Sequence, residues 1–143
     1  MARQSASTRT ASSTAKADPR PRVDPSRKQL GLAVLMVLFG SFMPWIDTAI
    51  GAISGSQGPG LWTFYAAMFG LAGALVPWRR VAALQASVLA LVAVGLTSWQ
   101  VIHLINLVGF GGWVPGPGLV LVVGGGILAG VVAVRMWRAV DVA

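Results

Sequence analysis

The sequence predicts an all-α integral membrane protein, four transmembrane helices arranged as two hairpins behind a disordered basic N-terminal tail. Three observations carry this expectation. Of the 143 residues, 55% are apolar and 10% charged, against roughly 25% charged in a soluble domain, so too few polar side chains exist to solvate a surface around a small core. The apolar residues gather in four runs after residue 29, each near the roughly 17–25 residues that a helix needs to cross a hydrocarbon layer of about 30 Å. All eleven Lys and Arg lie outside these runs, in the tail, in one connection and after the last run.

Residues 1–28 are rich in Ser, Thr, Arg and Pro, and Val23 is their one large aliphatic side chain after Met1. Such a segment has little to bury in return for the entropy of ordering, so it reads as a disordered cytoplasmic tail. The transmembrane domain then covers 29–138 and a short second tail covers 139–143. The first helix is expected at about 30–46, between Lys28 and Asp47, and the second at about 61–76, closed by Pro77 and the Arg79–Arg80 pair. The third, about 81–108, is longer than a crossing requires and must tilt or emerge. The fourth, about 119–134, stops at Arg135. Residues 47–60 and 109–118 are dense in Gly, Ser and Pro and read as loops, whereas 77–80 leaves room for a tight hairpin alone.

Cytoplasmic loops retain Lys and Arg while the far side is depleted of them. Arg3, Arg9, Lys16, Arg20, Arg22, Arg27 and Lys28 precede the first helix, Arg79 and Arg80 fill the second connection, and Arg135 and Arg138 follow the fourth helix. With four crossings this pattern places both termini in the cytoplasm, with the bacterial cell (inner) membrane as the expected location. Trp and Tyr rings prefer the headgroup region; Trp45, Trp62, Tyr65 and Trp113 fall near outer ends, Trp78 and Trp137 at inner ends, and Trp99 somewhat deeper. Ala49-Ile50-Gly51 before Ala52 imitates a signal-cleavage site, but the basic region and apolar run ahead of it are both long for that role.

The two outer loops end alike, in Gly58-Pro59-Gly60-Leu61 and Gly116-Pro117-Gly118-Leu119. Downstream, Leu71-Ala72-Gly73 answers to Leu128-Ala129-Gly130, and Trp78-Arg79 to Trp137-Arg138. If this records duplication of a helical hairpin, the two units share one orientation, which is a parallel repeat rather than the inverted kind common in transporters.

Small residues four apart let helix backbones approach in lipid. Ala66, Gly70 and Ala74 offer this on the second helix, Ala82, Ala86 and Ala90 on the third, and Gly126 and Gly130 on the fourth. They are expected at helix–helix interfaces, within the chain or with a partner.

Ionisable groups inside a membrane are functional candidates because their burial is costly, and here the central part of every predicted helix lacks Lys, Arg, Asp and Glu. The embedded Glu of small multidrug exporters has no counterpart in 30–46. The third helix carries Gln100, His103 and Asn106 at a spacing of three, hence on one face. Counted from residue 81, His103 and Asn106 reach the outer interface, where Asp47 is the one carboxylate. Asp47, Gln100, His103 and Asn106 therefore form the candidate outer polar cluster. A single His without Cys makes a poor metal site, and the chain has no Cys at all, so no catalytic, cofactor or metal site is expected and an interfacial hydrogen-bonding His103 is the plainer reading.

The formal charge of +7 sits in a tail and at helix ends rather than on a folded basic face, which points to anionic lipid headgroups and not to nucleic acid. The basic leader, the Gly40-Ser41-Phe42-Met43-Pro44-Trp45 end of the first helix and the Trp-Arg helix ends resemble uncharacterised small four-helix integral membrane proteins of high-G+C bacteria. The resemblance covers 30–138 and implies a four-helix bundle without assigning a role to any residue. The function expected is a non-catalytic, structural or accessory component of a membrane assembly, as a homo-oligomer or with a membrane-complex partner. The alternatives are a small transporter or channel-like protein with an outer vestibule near His103, and, further off, a redox-enzyme subunit using His103.

Overall fold

Asp24 opens the first helix. Its carboxylate accepts the Ser26 N–H at 3.1 Å, and Pro25 takes the first helical position, where a missing N–H leaves no bond unmade. In the computed structural model, which describes residues 24–49, 51–111 and 113–141, helix α1 runs Pro25–Phe42, followed by β1 Pro44–Thr48, β2 Gly51–Ser54 and a short 3-10 turn Gly55–Gln57. Then come α2 Gly60–Leu75, α3 Arg79–Val108, β3 Trp113–Pro115 and α4 Pro117–Asp141. Residues 24–28, expected in the tail, thus belong to a capped helix start; the remainder of the tail lies outside the described residues.

The first helix stops four residues earlier than the apolar run suggests. Met43 precedes a proline, whose ring disfavours helical backbone in the residue before it, and Met43 is extended at φ −73° and ψ 163°. The run expected as helix to residue 46 therefore finishes as strand β1. The sheet has the order β2-β1-β3, with Ile46 opposite Ile53 and Pro115, and Asp47 opposite Ala52 and Val114, all antiparallel. Both segments expected as loops contribute a strand. Pairing them satisfies backbone N–H and C=O groups that would otherwise need other partners.

At the other boundaries, α3 ends where Gly109 adopts φ +73° and its N–H closes on the Ile105 carbonyl at 2.8 Å, a conformation that suits glycine. Helix α4 continues past the expected end at residue 134 to Asp141. Arg135 and Arg138 end an apolar run but not a helix, because cations are favourable near a helix C-terminus.

Each helix buries residues at three- and four-residue spacing: Leu30, Ala33, Val34 and Val37 on α1, Thr63, Ala66, Ala67 and Gly70 on α2, Ala82, Ala86, Leu89 and Ala93 on α3, Val122, Gly126, Ala129 and Ala133 on α4. Helix α1 packs on α2 and α4, and α3 packs on the same two, while the diagonal pairs barely touch. The result is a four-helix ring in chain order with the sheet across one end. The faces turned away from it are apolar too, with Leu32, Leu35 and Phe39 of α1, Met68 and Phe69 of α2, Leu91 of α3, and Ile127 and Val134 of α4 all exposed. Two of the helices, α3 with 30 residues and α4 with 25, are long and apolar enough to cross a membrane.

The end opposite the sheet is polar. Arg79 pairs with Asp24 at 2.8 Å, Arg27 donates to the Pro77 carbonyl at 2.7 Å, and Arg135 donates to Gln29 at 3.1 Å. These contacts bring together the start of α1, the α2–α3 connection and the last turns of α4. The Ser26 N–H, aided by Arg79 and opposed by burial, holds the Asp24 carboxyl below its ordinary value. A depressed carboxyl contributes stability above its unfolded pKa and loses it as pH falls through the folded one. Asp24→Asn keeps a capping oxygen but removes the ion pair, so the expected loss is about 0–1 kcal/mol at neutral pH. The gap from wild type should close below about pH 4, as read from unfolding midpoints across a pH series.

Candidate functional site

The four residues of the predicted outer cluster are divided by the structure. Gln100 and His103 line one cavity of about 490 Å³, together with Gly58, Pro59, Trp62, Leu96 and Trp99. The His103 ring stacks on Trp99 one turn earlier, at 5.2 Å between centroids and 7° between planes. Asp47 lies exposed on β1, and Asn106 is exposed further along α3. Among the described residues no hydrogen bond or ion pair joins any two of the four, and no group of three metal-ligating side chains forms. The spacing of three sets a direction on one helix, and of the three residues Gln100 and His103 line this cavity while Asn106 does not. Below this cavity lies a second of about 420 Å³, wholly apolar, lined by Trp62, Leu91, Val92, Gly95 and Leu96. Trp62 and Leu96 belong to both, so a groove runs down the α2–α3 side from a hydrogen-bonding mouth to an apolar floor.

The small residues expected at helix interfaces are used within the chain. Ala66, Ala82 and Ala86 are buried. A Cβ on Gly70 would meet the Leu89 side chain at 2.8 Å, one on Gly126 the Ala93 Cβ at 2.9 Å, and one on Gly130 the Ala90 Cβ at 3.6 Å. Ala74 and Ala90 are half-buried. Close approach of α2 to α3 and of α3 to α4 uses these positions within the chain.

Polar burial is concentrated at Ser41, Thr63, Gln85 and Thr97. Ser41 Oγ lies 2.7 Å from the Val37 carbonyl and 2.8 Å from Thr63 Oγ1, which in turn lies 2.8 Å from the Gly60 carbonyl. Two hydroxyl protons serve three contacts, so two are made at a time. Gln85 differs, since its Oε1 is buried without a partner among the described residues and lies where a Cβ on Gly73 would be 2.7 Å away. An unmade bond to a buried carbonyl costs about 1–3 kcal/mol, and an apolar group of the same shape removes that cost. Gln85→Met is therefore expected to raise the unfolding free energy by about 1 kcal/mol in a denaturant titration of the detergent-solubilised protein.

The polar end holds a further cleft that the pattern of apolar runs did not reveal. A cavity of about 500 Å³ lies between the first turn of α3 and the last turn of α4, lined by Trp78, Arg79, Arg80, Val81, Ala139 and Val140. Its sequence trace was the pair of Trp-Arg helix ends, read there as boundary markers. The indole N–H of Trp137, the second of these, reaches Ser87 Oγ at 3.2 Å and so ties α4 to α3 beside the cleft.

No protein family, curated protein or solved structure matches this chain. The functional reading rests on the residues and their placement.

Proposed function

We propose that this is a multi-pass protein of the bacterial inner membrane, with four transmembrane helices, both termini cytoplasmic, and a non-catalytic structural or accessory role in a membrane assembly. The observation that carries the reading is the division of the bundle's surface. The described Lys and Arg stand at one end, the sheet with Asp47 as its one charged side chain at the other, and the belt between them is apolar on all four helices. A soluble core helix is mostly covered, whereas the most apolar stretch of α3 is 17% buried. Helix α2, with 16 residues, is about 24 Å long, and the shortfall against about 30 Å of hydrocarbon is met by local thinning of the bilayer. The buried polar side chains, Ser41, Thr63, Gln85 and Thr97, do not titrate, which favours a scaffold over proton-coupled work. With the small-residue faces spent internally, lateral partners would meet the large exposed apolar side chains.

The chain has no Cys, so single-cysteine labelling is clean. In intact cells a membrane-impermeant maleimide is expected to modify Gln57→Cys, and to reach Arg138→Cys only after permeabilisation. The reverse pattern overturns the topology. For the role itself, purification in mild detergent is expected to retain a stoichiometric membrane partner or a defined homo-oligomer. Solute flux by the isolated chain in liposomes would instead favour the second reading, a small transporter or channel-like protein, whose support is the cavity beside Gln100 and His103.

A further inference from the structure

Resting on the membrane reading above, we propose that the cleft between the start of α3 and the end of α4 binds the phosphate of an anionic phospholipid in the cytoplasmic leaflet. Of the cavities described, this one carries guanidinium groups. At this end the described residues comprise six cations, Arg27, Lys28, Arg79, Arg80, Arg135 and Arg138, against two acids, Asp24 and Asp141, an excess of four positive charges. Arg79 is held by Asp24. Arg80 is exposed and makes no hydrogen bond or ion pair among the described residues, and it lines the cavity.

A guanidinium donates two parallel N–H bonds to phosphate oxygens, which a solvated ammonium cannot match in geometry. Trp78 is 71% exposed; an indole at headgroup depth offers an apolar ring to the glycerol region and an N–H to a phosphate or ester oxygen. Val81, Ala139 and Val140 supply an apolar wall where acyl chains would begin. That wall is why the occupant is a lipid rather than free phosphate, which shares the charge but has nothing to place there. Basic pockets between helices on the cytoplasmic side are suited to such headgroups, and here the described acids leave the positive excess unneutralised.

Native mass spectrometry of the detergent-purified full chain, offered phosphatidylglycerol or phosphatidylcholine, tests the assignment. One phosphatidylglycerol adduct is expected, retained about five- to tenfold better than phosphatidylcholine. Arg80→Ala should abolish that preference, Arg80→Lys should keep part of it, and Arg138→Ala, a charge on the same end outside the cleft, should leave it intact. Equal retention of the two lipids overturns the proposal, as does an equal loss in Arg80→Ala and Arg138→Ala, which would signify surface charge alone. Displacement of the adduct by millimolar inorganic phosphate overturns the commitment to a lipid. If the membrane reading itself is wrong, the chain will be recovered in solution without detergent, an outcome separate from any adduct ratio.

Discussion

Truncating Trp45 to alanine is expected to destabilise the bundle by about 3–5 kcal/mol, the range for removing a large buried aromatic. Trp45 is the largest of the fully buried side chains at 2% exposure, and it joins three parts of the sheet end. Its indole N–H donates to the Gly40 carbonyl at 2.8 Å, which caps the last turn of α1. Its own carbonyl accepts the Gly116 N–H at 2.8 Å, and its ring lies against Gly55, where a Cβ would overlap it. Trp45→Phe keeps most of the volume but leaves the Gly40 carbonyl unpaired, so about 1–3 kcal/mol is expected. Both values can be read by denaturant titration in mild detergent. A loss below about 1 kcal/mol for the alanine variant would mean that the sheet is not seated on the helices.

A side chain at Gly118 should also destabilise the bundle, by the opposite route. A Cβ there would stand 2.8 Å from the Gly40 and Met43 carbonyl oxygens and 2.9 Å from that of Pro44. These are backbone atoms at the end of α1 and cannot rotate away as a side-chain tip does. Gly118→Val is expected to cost about 1–3 kcal/mol, the usual range for overpacking, and to separate α4 from α1. Gly95 is the contrasting position, since nothing lies within 4 Å of its Cβ direction. Gly95→Ala should stabilise α3 by about 0.5–1 kcal/mol, by removing the backbone freedom of glycine in a helix interior. Equal effects at the two glycines would contradict the packing of the sheet end.

Much of the helical framework was legible because two signals act locally. Apolar runs of sufficient length located all four helices, and Gly-Pro-Gly segments marked the starts of α2 and α4 within a residue or two. Where expectation failed, hydropathy was asked to report something it does not encode. Trp45 and Ile46 are as apolar in a strand as in a helix, and Pro44 was the residue that should have ended α1. Arg135 and Arg138 end the apolar run of α4, yet they do not unwind the helix. The polar residues on α3 show the same limit: period-three spacing sets direction on one helix, while a cavity wall needs a neighbour, and for Gln100 and His103 that neighbour is the α2 start at Pro59 and Trp62.

The matching Gly-Pro-Gly-Leu segments also take their meaning from packing. Gly60 opens α2 beside the Ser41 and Gly55 carbonyls, and Gly118 opens α4 beside those of Gly40, Met43 and Pro44. Both dock on the end of α1. A strict two-fold repeat would set Gly118 against α3 instead, so similarity in sequence has not produced equivalent contacts.

By itself the sequence determined that the chain is mostly helical, where its apolar segments lie, and at which boundaries its charges collect, because each follows from the chemistry of a short stretch of residues. Only the tertiary structure decided that the two Gly- and Pro-rich segments pair into a sheet, that the small-residue positions face their own bundle, that Gln85 Oε1 is buried without a partner among the described residues, and that Arg80 borders a cleft. These depend on which surfaces meet across dozens of residues, and close contact between distant backbones leaves little trace in composition beyond the glycines that permit it.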